Sequence, residues 1–225
     1  MTRSPRVTQS GPWLHFDLGA PLRALSWSLT RPGFVTTDAM VWREVGNDDL
    51  TPDLDVAAWF GDAVGAKGWR DAVAFLTSRD ITTWTEARAE VGGVTAHAVA
   101  TVGLSNAERV GARVDYSGRD WNAPYGTINV GLRLSTGLTE AALIEALAIA
   151  VQARTAAVIA VGVMLPTGLA TGTGTDCVAV AAPAGNVGYA GLHTDVGEAA
   201  GRAVHDAVLR GAEDWCRAYP AAVAP

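Results

Sequence analysis

Between Thr171 and Asp176 the chain reads Thr-Gly-Thr-Gly-Thr-Asp, and Cys177 follows directly. Hydroxyls at every second position, separated by residues without side chains and closed by one carboxylate, exchange packing volume for polar groups. Acyl transfer needs such a set: a nucleophile, donors for a developing oxyanion, and a group that carries a proton to the leaving amine. Drawn out as a strand, the run would put Thr171, Thr173 and Thr175 on one face about 6.6 Å apart, with Gly172, Gly174 and Asp176 on the other, so the three hydroxyls could not all reach one atom. Folded as a turn, its amides would form a nest for an oxyanion. The plainer alternative is a glycine-rich turn feeding a buried strand, its threonines bonded to their own backbone. The run lacks the third glycine of a dinucleotide fingerprint and has no Gly-Lys-Ser/Thr, so it supports a phosphate cradle only weakly.

Among the four histidines, His193 has the position best suited to chemistry. In "YAGLHTDVGE" it stands immediately before the predicted final helix, whose N-terminal dipole disfavours the imidazolium and leaves a neutral ring able to act as a base. The alternative is a turn histidine bonded to the chain. His97 and His15 fall in strand-like segments and read as packed or surface residues, and His205 lies on the polar side of the last helix. Cys177 invites a cysteine–histidine pair, but a lone cysteine in "CVAVA" is more often a small buried hydrophobe. Two cysteines, Cys177 and Cys216, make neither a disulfide framework nor a four-ligand zinc site, so no metal site is expected and a reducing, cytoplasmic setting is.

These groups must be held by a sizeable core. The 225 residues, 49% of them hydrophobic, suffice for one domain, with residues 1–12 read as a flexible tail and the working domain over 13–218. A net charge of −6 and scattered basic residues, of which only Lys67 is a lysine, give no footprint for nucleic acid. The apolar run 141–165 reaches membrane-spanning length. Its Glu145 and Arg154 would each cost about 2.5–3.5 kcal/mol near mid-bilayer, so a covered helix is expected and a membrane partner is not. The N-terminus shows no export signal.

Residues 12–45 read as two or three strands, 53–66 as a short helix, "AVAFLTS" as a buried strand, and the segments around Gly92-Gly93 as a tight hairpin. Residues 107–125 read as a loop or seam. "GTINVGLRLS" then reads as a strand, 139–163 as a long helix, "CVAVA" as a strand, and 195–218 as a final helix with capping-box spacing at Asp195 and Glu198. The expected fold class is an α/β (α+β) layered sandwich: a mixed or mostly antiparallel sheet with two long C-terminal helices.

Four stretches together, "ATVGLSNAERVG", "GTINVGLRLSTGLTEAALIEALAIAVQARTAAV", "GLATGTGTDCVAVA" and "YAGLHTDVGEAAGRAV", resemble the adenosylcobinamide amidohydrolase family of the CbiZ type, over roughly residues 13–215. The resemblance implies hydrolysis of the amide joining the aminopropanol arm to the corrin ring of adenosylcobinamide, giving adenosylcobyric acid in cobamide salvage. The corrinoid would be the substrate, its cobalt arriving with it, and no cofactor would belong to the protein. A homo-oligomer stays open. The matching positions are Ser105 and Asn106; Gly126, Thr127 and Asn129; Thr171, Gly172, Thr173, Gly174, Thr175 and Asp176; and His193 and Thr194. On this reading His193, oriented by Asp176, activates a threonine hydroxyl or a water, the Gly172 or Gly174 amide meets the oxyanion, and Asn129 positions the amide. Ser105, Asn106, Thr127 and Thr194 complete the substrate site. Trp13, Trp27, Trp42 and Trp121 lie in segments that could line a corrin-wide cleft, with core packing as the plainer role.

Where the resemblance leads one to expect Glu and Lys, this chain has Gln152 and Arg154, and it has Leu192 in place of a Lys. Those departures motivate two alternatives: a corrinoid-binding protein without turnover, or an amide hydrolase acting on complete cobamides or another amide.

Overall fold

The computed structural model describes residues 3–46, 49–115, 117 and 126–220. Trp121 and most of the sequence-predicted seam after residue 115 lie outside the described residues. The strands are β1 (Arg6–Ser10), β2 (Trp13–Ser26), β3 (Gly33–Glu44), β4 (Val73–Thr77), β5 (Thr85–Val91), β6 (Val94–Val102), β7 (Ala107–Glu108), β8 (Ile128–Leu134), β9 (Met164–Leu165), β10 (Gly168–Leu169), β11 (Gly172–Thr173) and β12 (Cys177–Ala182). The described helices are α1 (Val56–Ala66), α2 (Glu140–Ala160) and α3 (Asp195–Ala218).

Eight strands form one sheet in the order β4-β3-β2-β12-β8-β6-β5, with β1 added to β2. Pairing is mostly antiparallel, with β12–β8 and β3–β4 parallel. Long β2 serves two neighbours in turn: Trp13–Asp17 pairs with β1, and Arg23–Ser26 with β12. Its register against β3 slips between Asp17 and Leu22, where a bulge sharpens the local twist. The sheet thereby folds over itself. Asn129 Nδ2 on β8 donates to the Leu76 carbonyl on β4 at 2.7 Å, although the two strands are not neighbours. Gly131 lies against Met40 and Trp42 of β3, where any side chain would collide with them.

The result is a layered sandwich with three apolar clusters among the described residues. Helix α1 covers Trp13, Val41 and Ala74 on one outside face. Phe16, Met40, Trp42, Phe75 and Val99 fill the space between the two halves of the sheet. Helices α2 and α3 cover alternate residues of β6, β8 and β12, including Ala98, Ile128, Leu132 and Val180. Each fully buried large apolar side chain contributes about 1.5–3 kcal/mol. This strand alternation decides which residues of β8 and β12 face the helices.

Local chemistry explains the boundaries. Gly92 and Gly93, both at positive φ, close the β5–β6 hairpin as the sequence suggests. Helix α3 starts one residue earlier than the capping-box reading: Thr194 is the N-cap, its hydroxyl accepting from Gly197 N, with Asp195 and Glu198 in the first turn. The N-terminal tail is also corrected. Residues 6–10 form β1, joined to β2 through a turn at Gly11, whose φ is positive. Helix α2 is long and apolar enough to cross a membrane by length and composition. It packs on α3 and β12, and its charges find protein partners: Glu145 accepts from Ala190 N at 2.7 Å and Arg154 meets Asp176.

Candidate active site

The Thr/Gly run forms a turn. Gly172 and Thr173 pair as β11 with β7, and the chain then bends through Gly174 and Thr175 into β12. The three threonines consequently have different surroundings instead of sharing a face. Thr171 Oγ1 accepts from Val110 N at 2.7 Å, which fixes it to the β7 segment. Thr173 Oγ1 donates to Asp176 Oδ1 in a short hydrogen bond, and Thr173 N donates to Asp176 Oδ2 at 3.0 Å. Thr175 is exposed; its hydroxyl accepts from Asn106 Nδ2 at 3.3 Å and reaches the Gly126 carbonyl only at 3.5 Å.

Asp176 is the centre of this arrangement. Its side chain, 7% exposed, also accepts from Ile128 N at 3.2 Å and pairs with Arg154 Nη1 at 2.7 Å. Burial pushes the carboxyl above its ordinary value; the Arg154 guanidinium and the Thr173 and Ile128 donors pull it part of the way back. A carboxylate moved toward neutrality and bonded to a hydroxyl is a proton acceptor placed at a nucleophile. Arg154 comes from α2, is 12% exposed, and also donates to the Thr171 carbonyl at 3.0 Å. Gly172 is the residue it passes over: a side chain there would overlap the guanidinium and the Asp176 carboxylate.

The structure gathers Ser105, Asn106, Thr127, Thr171, Gly172, Thr173, Gly174, Thr175 and Asp176 at one end of β8 and β12. Thr127 Oγ1 donates to the Thr175 carbonyl at 2.9 Å, and Gly174 N to the Asn106 carbonyl at 3.3 Å. Asn106 is buried, and its Oδ1 has no partner among the described residues. Gly126 packs against the backbone of Gly103 and Ser105 too closely for any side chain, which brings the exposed Ser105 beside Thr127.

Three sequence-predicted residues are elsewhere. Strand β6 runs from Val94, beside the hairpin glycine against which Asp195 packs, to Val102, paired with Ile128 next to Asp176. Its eight steps put His193, at the α3 N-terminus, on the order of 25 Å from Asp176. The Asp176 carboxylate is moreover occupied by Thr173, Ile128 and Arg154, so the expected Asp176–His193 pair does not form. Thr194 spends its hydroxyl on the helix cap and on the Gly191 carbonyl. Asn129 pairs in register with Cys177 and points between the sheet halves toward Leu76, away from the turn.

Cys177 is not primed for attack either: burial, with the Asp176 charge adding to it, pushes its thiol up to about 12. His97 is a packed histidine as expected, bonded to Glu86 at 2.6 Å, with its pKa lowered by burial against the pull of Glu86. Among the described residues no group of three or more His, Cys, Asp or Glu is placed to hold a metal. Trp13 and Trp42 are core residues, whereas Trp27 is exposed and donates its indole N–H to the Asp176 carbonyl at 2.8 Å. Two open grooves, about 500 and about 610 Å³, run between β5 and α3 near Glu86 and Arg210, three strands away from β12.

Sequence reasoning missed Arg154 as the partner of Asp176. The available signal was a lone guanidinium in an otherwise apolar helix, which must find an acid when that helix is covered. The other two departures, Gln152 and Leu192, are exposed and bond none of these groups.

The family model for adenosylcobinamide amidohydrolases (CbiZ) matches residues 1–220. No curated protein matches the sequence significantly. Similar solved structures include the PH0078 protein from Pyrococcus horikoshii OT3, at 12% identity and a TM-score of 0.45, covering 92% of this chain and 82% of that one. A Burkholderia sp. beta-aminopeptidase is similar at 15% identity and a TM-score of 0.45, covering 93% and 82%. The family match, which spans nearly the whole chain and the hydroxyl–carboxylate turn, defines an enzyme that hydrolyses a C–N amide bond. The chain belongs to the adenosylcobinamide amidohydrolase family.

Proposed function

We propose that the protein cleaves the amide between the aminopropanol arm and the corrin ring of adenosylcobinamide, and that Thr173 is the nucleophile with Asp176 as its base. The observation that carries this assignment is the Thr173 hydroxyl donating to a buried carboxylate whose affinity for protons is raised. Thr173 Oγ attacks the amide carbon as its proton passes to Asp176. The C–N bond then breaks, that proton goes to the departing nitrogen, and aminopropanol leaves an ester on Thr173. A water gives a proton to Asp176, attacks the ester carbon, and adenosylcobyric acid departs as Thr173 recovers its proton. The exposed Thr175 hydroxyl, oriented by Asn106, donates to the oxyanion. Arg154 keeps Asp176 ionised between turnovers. The cobalt belongs to the substrate, and the two free cysteines suit a reducing cell interior.

The test is incubation of purified protein with adenosylcobinamide, following adenosylcobyric acid and aminopropanol by mass spectrometry. Product with wild type, none with Thr173→Ala, and a trapped Thr173 ester support the assignment. A corrinoid bound but unchanged by wild type would make the protein a binder, and full turnover by Thr173→Ala would remove the covalent step.

A further inference from the structure

The β2–β3 hairpin stands against the Thr/Gly turn and carries two uncovered aromatic rings: Trp27 is 46% exposed and Phe34 44%. Phe34 lies opposite Leu25 in the antiparallel register, and Trp27 follows Leu25 by two residues. Trp27 stands just past the end of β2, and strand alternation puts Phe34 on the face that Leu25 shares. It is also the face from which β12 directs Val178 and Val180 to the helices, the side on which Asp176 meets Arg154 of α2. The Trp27 ring is held in place, its indole N–H on the Asp176 carbonyl at 2.8 Å. Its one polar atom is therefore already paired with the protein, and what it offers outward is apolar ring surface beside the reacting turn.

The indole hydrogen bond fixes this exposed ring to the backbone of Asp176, the base itself. A ring so held suits a ligand that is broad, flat and apolar over its faces. We propose that Trp27 and Phe34 form the platform on which the corrin macrocycle lies while the amide on its rim reaches Thr173. This inference rests on the reading of Thr173 and Asp176 as the reacting pair. It assigns the hairpin to substrate affinity and the turn to chemistry.

Binding is measured by equilibrium dialysis of adenosylcobinamide, followed by its visible absorbance, against the full-length Thr173→Ala protein, so that turnover does not interfere. Adding Trp27→Ala or Phe34→Ala should weaken Kd about tenfold, whereas Trp27→Phe, which keeps a ring, should stay within about threefold. In the active protein Phe34→Ala should raise KM by a similar factor and leave kcat nearly unchanged. Phe34 makes no bond to the turn, so it decides the matter even if Trp27→Ala loosens Asp176. Unchanged Kd in both alanine variants overturns the platform. Full turnover by Thr173→Ala would instead overturn the site reading, and the two failures are read in separate experiments.

Discussion

Replacing Arg154 by methionine tests the electrostatics on which the site depends. The substitution keeps most of the side-chain volume and removes the partner of a carboxylate that is 7% exposed. Breaking one side of a buried pair costs about 3–5 kcal/mol. Asp176 would retain its donors from Thr173 and Ile128, so the lower end, about 3 kcal/mol, is expected here. In a chain of this length that corresponds to a fall in Tm of about 6–12 °C.

The loss should also depend on pH. The folded Asp176 carboxyl already lies above its ordinary value, and removing Arg154 raises it further. Between the unfolded and the folded pKa the native state holds a proton that the unfolded chain has released, so stability falls as pH rises through that window. Arg154→Met should therefore be weakest at neutral pH and recover partly in mild acid, while adding Asp176→Asn should restore stability at neutral pH. Urea unfolding followed by circular dichroism at pH 7.5 and pH 5 measures this. A loss of under about 1 kcal/mol, or an equal loss at both pH values, would show that Arg154 does not compensate a buried charge.

Three further outcomes follow from the same geometry. His193→Ala should keep kcat and KM for adenosylcobinamide within about threefold, because the ring is on the order of 25 Å from the turn; loss of turnover in a folded variant would return histidine to the mechanism. Gly172→Ala should destabilise by about 1–3 kcal/mol through displacement of Arg154 and should slow turnover, as read by thermal unfolding and product release. Cys177, with its thiol pushed up to about 12, should resist iodoacetamide at pH 8 in the native protein and react once unfolded, checked by peptide mass.

The elements were legible where one periodicity dominated. Buried Val196, Ala200, Ala203, Val204, Ala207 and Val208 trace the α3 stripe that their spacing predicts, and Gly92-Gly93 closes its hairpin. The folding of the sheet over itself was not legible, since it depends on a bulge in β2 and on the missing side chain of Gly131, both of which concern residues distant in sequence. The same limit governed the site. Local cues grouped Thr171 to Asp176, whereas Asn106 and Thr127, 69 and 48 residues from Thr175 in sequence, were reached only through the family resemblance. His193 satisfied a local rule about helix N-termini, yet which end of the sheet that helix begins at is decided by topology. Thr194 was misread because a helix cap uses the same hydroxyl that a substrate site would use.

The glycines of the run answer different demands. Were its small residues present only to make room for substrate, Gly172 would face solvent; it is buried beneath the Arg154 guanidinium. Gly174, by contrast, is exposed, with no atom closer than 3.9 Å to where a side chain would begin. Thr171 and Gly172 therefore tie the turn to β7 and α2, and Gly174 and Thr175 leave an open, polar surface. Thr173 and Asp176 join the two halves through paired hydrogen bonds. A carboxylate buried enough to bind its proton more tightly, yet one bond from a hydroxyl near the surface, requires both halves at once. That requirement accounts for the alternation of threonine and glycine better than strand geometry does.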